Sequence, residues 1–495
     1  MLYFSKSKYC GLWQCPKLCW LKKYRPDLYK IDAETEAIFA AGNDVGDLAM
    51  GLFGDYTEVT ELKGDGKLDF NKMITKTAFL VRSGADNICE ASFSYRGLFC
   101  AVDILKKENG GYAIYEVKSS TKVDHIYCVD VAYQKYVLQK CGIKVTGTYI
   151  VNIDTSYVRQ GELDIKKLFK ITDISSEVAN EEILVADNLA YAEKLLNEKT
   201  EPNIDIGMHC VTPYDCGFWE YCARGIPKPS VFDLRGKKSS DKFGSYSKGV
   251  ISFDDVRRAG LSLTAVQRLQ VEYADRDDTY IDREKLRAFM DKITYPVYFL
   301  DFESAQLAVP MFDGARPYQQ IVFQYSLHVL ESEDGEVEHR EYIDLSGRDP
   351  RRGVAESLCE NIPENACVLV YNKTFECTRL EEFAALYPDL ADRLLKIRFN
   401  IIDLYEPFAK GYCYNRAMCY GFSIKNVLPA LFPDDPSASY SSLDGIKNGS
   451  QAKDIYPKAI QMPPAEKEEI EEQLLKYCAL DTQALLRLFK KLKNI

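Results

Sequence analysis

The apolar run Tyr295 to Leu300 is rich in strand-forming residues and breaks off into Asp301 and Glu303. Alternation along a strand puts these two acids on one face, two residues apart. A buried or half-buried strand ending in two like charges is unfavourable unless something cationic lies between them. A divalent ion with oxygen ligands meets that need; the alternative is that both acids point into solvent where the strand ends. Two later segments bear on the choice. Val368-Leu-Val-Tyr-Asn-Lys-Thr-Phe-Glu376 reads as a second apolar strand that stops at Asn372 and leads Glu376 into a helix. Within the amphipathic stretch Glu466 to Lys493, Tyr477 and Asp481 lie at i and i+4 and so share a helix face.

The succession Asp301-Phe-Glu303, Tyr371-Asn-x-x-Phe-Glu376 and Tyr477-x-x-x-Asp481 resembles the DnaQ-like (DEDD) 3′→5′ exonucleases of RNase H-like fold, in their tyrosine-bearing branch (DEDDy). The resemblance implies that Asp301, Glu303, Glu376 and Asp481 hold two magnesium or manganese ions and that Tyr477 positions or activates the attacking water. Glu376 departs from the family, which usually carries Asp there. Asp403 is a further acid expected near the site, and Asn372 and Lys425 are candidate substrate contacts. Arg316 to Val329 reads as the neighbouring antiparallel strand, and a third strand near Val337 to Leu345 completes a meander. Arg316, Tyr318 and Gln319 either approach substrate or brace the loop. His328 and His339 read as ordinary strand residues.

A chain of 495 residues has room for two or three domains, and 46% apolar content fits a globular protein. No apolar run approaches the ~18 residues that span a bilayer, and Met1-Leu-Tyr-Phe-Ser-Lys6 lacks the apolar core of a signal peptide. A cytoplasmic location without membrane contact is therefore expected. In that reducing setting the 16 cysteines are not disulfides: clustered ones favour metal, and scattered ones such as Cys89, Cys141, Cys359 and Cys367 favour burial. The net charge of −11 argues against a basic nucleic-acid-binding coat, though not against a local basic groove.

Ser5 to Tyr24 reads as a helix carrying Cys10, Cys15 and Cys19, with Pro16 as a candidate start of its regular part. Far along the chain, Cys210, Cys216 and Cys222 are evenly spaced among aromatics. Four thiolates from two distant segments suit a tetrahedral zinc or an iron–sulfur cluster, with buried free cysteines as the alternative. Between them lies a second acidic group. Asp103 sits in the strand Phe99–Leu105, Gly110-Gly111 marks a turn, and Glu116 and Lys118 alternate onto one face of Tyr112–Ser120. Two carboxylates can hold a metal while the lysine orients water or steadies developing phosphorane charge. The alternative is a cross-strand Lys–Glu pair on a solvated face. A helix over Asp130–Gln139, with Gln134 and Tyr136 near its middle, follows, then a strand over Lys144–Asn152.

This order, with Asp103, Glu116-x-Lys118 and Gln134, resembles the PD-(D/E)xK nucleases, and more narrowly the RecB/AddB-type and CRISPR-associated exonucleases that carry a 4Fe–4S cluster. The resemblance implies Cys15 (in Gln14-Cys-Pro-Lys17), Cys210, Cys216 and Cys222 as cluster ligands, leaving Cys10 and Cys19 packed. The family's first-motif histidine is absent from Ala41–Ala49, where Asp47 is the substitute ligand beside Asp103 and Glu116. Glu90 lies near the metal or is a surface strand residue.

The expectation is an α/β protein. It has a PD-(D/E)xK, restriction-endonuclease-like domain over 1–225, a linker with helices over 226–294, and an RNase H-like exonuclease domain over 295–495. The expected activity is metal-dependent trimming of single-stranded DNA ends in repair or CRISPR-type settings. The alternative is an RNA 3′→5′ exonuclease whose first domain is an inactive nucleic-acid platform.

Overall fold

The computed structural model describes residues 4–30, 42, 44–418, 420–438, 445–446 and 448–495. It is a mixed α/β protein of two compact units, Met1–Gly225 with Leu307–Gln319, and Ile226–Gln306 with Gln320–Ile495.

In the first unit seven strands make one sheet. The elements that matter are β1 (Phe4–Ser5), α1 (Lys6–Gln14), α2 (Pro16–Tyr24), β2 (Thr57–Glu58), α3 (Phe70–Ser83), β3 (Asn87–Tyr95), β4 (Leu98–Glu108), β5 (Gly111–Lys118), α4 (His125–Lys140), β6 (Val145–Ile153), β7 (Phe169–Asp173) and α5 (Ser175–Asn197). Strands β2 to β7 lie side by side in sequence order. The turn between β4 and β5 is Asn109-Gly110, both at positive φ (54° and 74°), one residue earlier than the glycine pair indicated. Asn-Gly matches the twist of a tight hairpin, and only such residues sit there without strain. Strand β4 is shared: Ile104–Glu108 pair with β5, while Leu98 and Phe99 pair with β1. The expected single helix over Ser5–Tyr24 is two. Cys15 is extended (φ −161°, ψ 119°), and Pro16 starts α2, where its missing N–H costs nothing.

In the second unit, β8 (Val297–Gln306), β9 (Gln320–Leu330) and β10 (Val337–Ile343) form the antiparallel meander, and β11 (Cys367–Val370) and β12 (Ile401–Asp403) add to the other edge of β8 in parallel. Strand β8 is thus central, which explains its unbroken apolar run. Val297 and Phe299 enter the core that also holds Leu485 and Phe489 of the last helix, while Tyr298, Leu300 and Phe302 enter the opposite core. Asp301 and Glu303 continue the first of these two faces. The helices that serve them are α6 (Thr374–Leu386), α7 (Ile424–Leu431) and α8 (Pro464–Lys493). The 226–294 segment belongs to this unit. Its Val266, Leu269, Leu286 and Phe289 share the core with Val297, and Tyr280–Ile281 pairs with Cys413–Tyr414. Among the described residues, no helix is long and apolar enough to cross a membrane.

Candidate functional site

Helix α8 brings its acid to β8 because one stripe of it is buried: Leu474, Tyr477, Cys478, Asp481, Thr482, Leu485 and Phe489 recur at helical spacing. Its register is pinned by polar contacts from β9. Gln324 Nε2 donates to the Leu474 carbonyl (2.9 Å), while Ser326 Oγ and His328 Nδ1 bond Thr482 Oγ1 (2.7 and 2.8 Å). His328 is therefore a strand residue with a positioning contact, stacked on His339 at 4.4 Å.

The result is a set of four acids within electrostatic reach of Asp301, of which Asp301 and Glu303 place ligand oxygens within 4.8 Å of one another. Burial, then Asp481, Glu303 and Glu376, push the Asp301 carboxyl far above the carboxylate range. Burial and then Asp481 do the same to Glu303, against a weaker opposing pull from Lys425. Glu303 is 7% exposed. Glu376, delivered by the first turn of α6, is 3% exposed with Oε2 unpartnered, and burial drives its carboxyl up to about 8. Buried acids held in this state are the usual mark of a cation seat. The Tyr477 hydroxyl bonds Asp481 and accepts a hydrogen bond from Lys425 Nζ (3.1 Å), and burial with Asp481, Glu303 and Asp301 keeps it protonated. The sequence reading missed Cys478. Its sulfur and one oxygen each from Asp301 and Glu303 lie within 4.8 Å of one another. The residue follows Tyr477 directly, and only its i, i+4 relation to Leu474 and Thr482 marked it as inward-facing.

Asp403 supports the site from outside it. Its carboxylate accepts from the backbone N–H of Asn372 (2.8 Å), Lys373 (3.1 Å) and Tyr405 (3.0 Å). Those bonds hold the exposed Asn372 in the left-handed region (φ 69°), where the chain turns into α6. Arg316, Tyr318 and Gln319 precede β9 and brace a loop instead: Gln319 Oε1 accepts from Arg316 N (3.0 Å), and the Tyr318 hydroxyl donates to the Ser119 carbonyl within the first unit.

In the first unit Asp103, Glu116, Lys118 and Gln134 also come together, with two partners the sequence did not reveal. Lys118 Nζ lies 2.7 Å from Glu116 Oε1 and 3.0 Å from Asp130 Oδ2, and Gln134 Nε2 donates to Glu116 Oε2 (2.8 Å) and Asp130 Oδ1 (3.0 Å). Lys6 Nζ, placed by β1 against the start of β4, lies 2.8 Å from Glu116 and 3.6 Å from Asp103. A two-residue strand is too short to show in sequence, so Lys6 could not be foreseen. Burial opposes ionisation of Glu116, but Lys118 and Lys6 outweigh it and hold the carboxyl far below its ordinary range. Burial and Glu116 raise Asp103 to about 6. Glu90, at φ 56° in the gap of the ladder opposite Asp103, is raised by burial and then Asp103 to about 7. Asp47 does not join this group. It is exposed, on the solvent side of a helical stretch whose Val45 and Ala49 are buried.

Cys15 and Cys210 are buried, and Cys216 and Cys222 half-buried. Gln14 Nε2 ties the two segments by donating to the carbonyls of His209 (2.9 Å) and Tyr214 (2.7 Å). Burial raises Cys210 to about 11, and Cys216, Cys15 and Cys222 add to the rise, so the four thiols act on each other. Among the described residues no three of these sulfurs lie within 4.8 Å of one another. Sulfurs on one tetrahedral zinc sit about 3.8 Å apart. Cys10 lies instead beside Asp130, Lys118 and Lys6.

In comparison with known proteins, one segment matches a family model. Residues 298–423 match the Domain of unknown function DUF2779, a span that holds Asp301, Glu303, Glu376 and Asp403 and stops before Tyr477 and Asp481. The chain is similar to the Uncharacterized protein MG366 homolog of Mycoplasma pneumoniae, 27% identical over 218 residues, covering 41% of this chain and 33% of that protein. It is similar also to the Uncharacterized protein MG366 of Mycoplasma genitalium, 25% identical over 221 residues, covering 41% and 32%. The chain thus spans about a third of the length of these curated relatives. No solved structure matches.

Proposed function

We propose that the second unit hydrolyses phosphodiester bonds with divalent metal, trimming single-stranded DNA from its 3′ end. The observation that carries this reading is the meeting of Asp301 and Glu303 on β8 with Asp481 on α8, 180 residues further along the chain, where Asp481 raises the carboxyls of both strand acids. Glu376, with an unpartnered buried oxygen, completes a donor set of carboxylates that suits magnesium or manganese. Such ions supply an activated water and a positive charge on the leaving oxygen. The protein's own groups then have clear tasks. The four carboxylates hold the ions, the protonated Tyr477 hydroxyl orients the water, and Lys425 beside it adds positive charge toward a phosphate. The meander-plus-two-parallel-strand sheet supports the RNase H-like resemblance.

A second reading is favoured for the first unit. Lys6 and Lys118 already neutralise Glu116, which fits a nucleic-acid-binding platform better than an active PD-(D/E)xK nuclease. The mutual influence of Cys210, Cys216, Cys15 and Cys222 supports a shared group at these thiols, a 4Fe–4S cluster or, alternatively, zinc. The test is digestion of 5′-labelled single-stranded DNA and RNA by the full chain with Mg2+ or Mn2+. The expected result is a ladder of products shortened from the 3′ end of DNA, lost in Asp301→Asn and kept in Lys118→Ala. No metal-dependent shortening of either polymer would reject the proposal, and shortening of RNA alone would move the substrate to RNA.

A further inference from the structure

The exonuclease reading leaves a buried group beside its own acids without a task, the thiol of Cys478. Its residue is 0% exposed and lies on the face of α8 that carries Tyr477 and Asp481. The sulfur is 3.8 Å from Asp301 Oδ2, the length of a weak S–H hydrogen bond. A single ion bonded to sulfur at roughly 2.3 Å and to oxygen at roughly 2.1 Å would set the two about 3.6 Å apart at a tetrahedral angle. The thiol therefore stands where a ligand would stand, inside the Asp301–Glu303–Cys478 group. A buried carboxylate outside this group points independently to a cation nearby: Glu376, 3% exposed with Oε2 unpartnered, acts electrostatically on Asp301.

Sulfur changes what such a seat prefers. Magnesium is hard and gains little from a thiolate, whereas manganese, cobalt and zinc gain progressively more. We infer that Cys478 Sγ is a ligand in the Asp301–Glu303 seat and biases it toward borderline divalent ions, Mn2+, Co2+ or Zn2+, over Mg2+. This rests on the reading of the acids as a metal seat. Binding replaces the S–H bond by a sulfur–metal bond, and the thiol proton leaves to solvent.

The test titrates chelator-stripped full-length protein with Co2+ and compares wild type, Cys478→Ser, Cys478→Ala and Asp301→Asn by optical spectroscopy. Mn2+ and Mg2+ binding are followed in parallel by thermal shift. Subtracting variant from wild type cancels any cobalt at the Cys15 thiol group. The expected difference spectrum carries a sulfur-to-cobalt charge-transfer band that saturates with one ion. Both Cys478 variants should weaken Co2+ and Mn2+ by at least about tenfold, the lower end of what losing even an outer partner costs. Their Mg2+ shift should be unchanged, which also shows that they fold. Superimposable spectra and equal affinities, with an ion still lost in Asp301→Asn, would overturn the sulfur ligand and leave the seat standing. If Asp301→Asn loses no ion either, the seat itself is overturned.

Discussion

The two units solve the same electrostatic problem in opposite ways. Each sets carboxylates on its sheet beside an acid from a helix packed against it: Asp103, Glu116 and Asp130 in one, Asp301, Glu303 and Asp481 in the other. In the first unit the protein supplies the cations, Lys6 and Lys118, and Glu116 is held ionised. In the second the acids face one another and their pKa values rise. Identical residue types thus give a closed ion-pair network or a seat for an external dication. What differs is that Lys6 and Lys118 pair directly with Glu116, whereas Lys425 bonds Tyr477 and only partly offsets the rise at Glu303.

The sharpest break of this comparison is at the seat. Asp301→Asn or Asp481→Asn should cut metal-dependent hydrolysis by about 10³-fold or more, since each removes a ligand for the ions that activate water. The same changes should stabilise the metal-free protein by about 1 kcal/mol, because they relieve like-charge repulsion. Thermal melts of stripped protein, read beside activity, check both signs. Tyr477→Phe should cost about 10²-fold in rate with little effect on ion binding, as expected for a group that orients water without holding metal. Steady-state rates at saturating Mn2+ decide it.

In the first unit the expected effect is on folding. Lys6→Ala leaves Glu116, 1% exposed, with half its cationic partners and should destabilise by about 3 kcal/mol. If the comparison holds, Mn2+ should now restore part of that loss in Lys6→Ala and none in wild type. A denaturant titration with and without Mn2+ measures this.

The smallest effect is also the most diagnostic, because Glu376 and Glu116 should answer pH with opposite signs. The Glu376 carboxyl, raised from 4.5 to about 8, binds its proton more tightly in the folded protein. Its contribution is full below pH 4.5 and is lost as pH rises through 8. Stabilisation by Mn2+ should therefore grow from pH 5 to 8, and Glu376→Gln should flatten that growth. Glu116 is depressed, so its contribution is full above pH 4.5 and is lost as pH falls toward its folded value. Melting curves across pH 3 to 9 separate the two.

The sequence exposed what lies on long, regular elements. Asp301, Glu303, Glu376, Tyr477 and Asp481 were legible because an apolar strand breaking into acids, and an i, i+4 pair on an amphipathic helix, place side chains without knowledge of the rest of the fold. Asp103, Glu116 and Lys118 were legible through hairpin alternation. Lys6 was not, because a two-residue strand carries no period and its partner strand is about ninety residues away. Cys478 looked like ordinary core. Asp130 read as the start of a helix that actually begins at His125, so its inward face was hidden. Asp47 was placed by the resemblance alone, and no periodicity around it argued for an inward side chain.

Anomalous scattering from crystals of the full chain soaked in Mn2+ tests the central claim most directly. The account predicts manganese peaks bounded by Asp301, Glu303 and Asp481, and none between Asp103 and Glu116, where Lys6 stands. Manganese at Glu116 with none at Asp301 would contradict it.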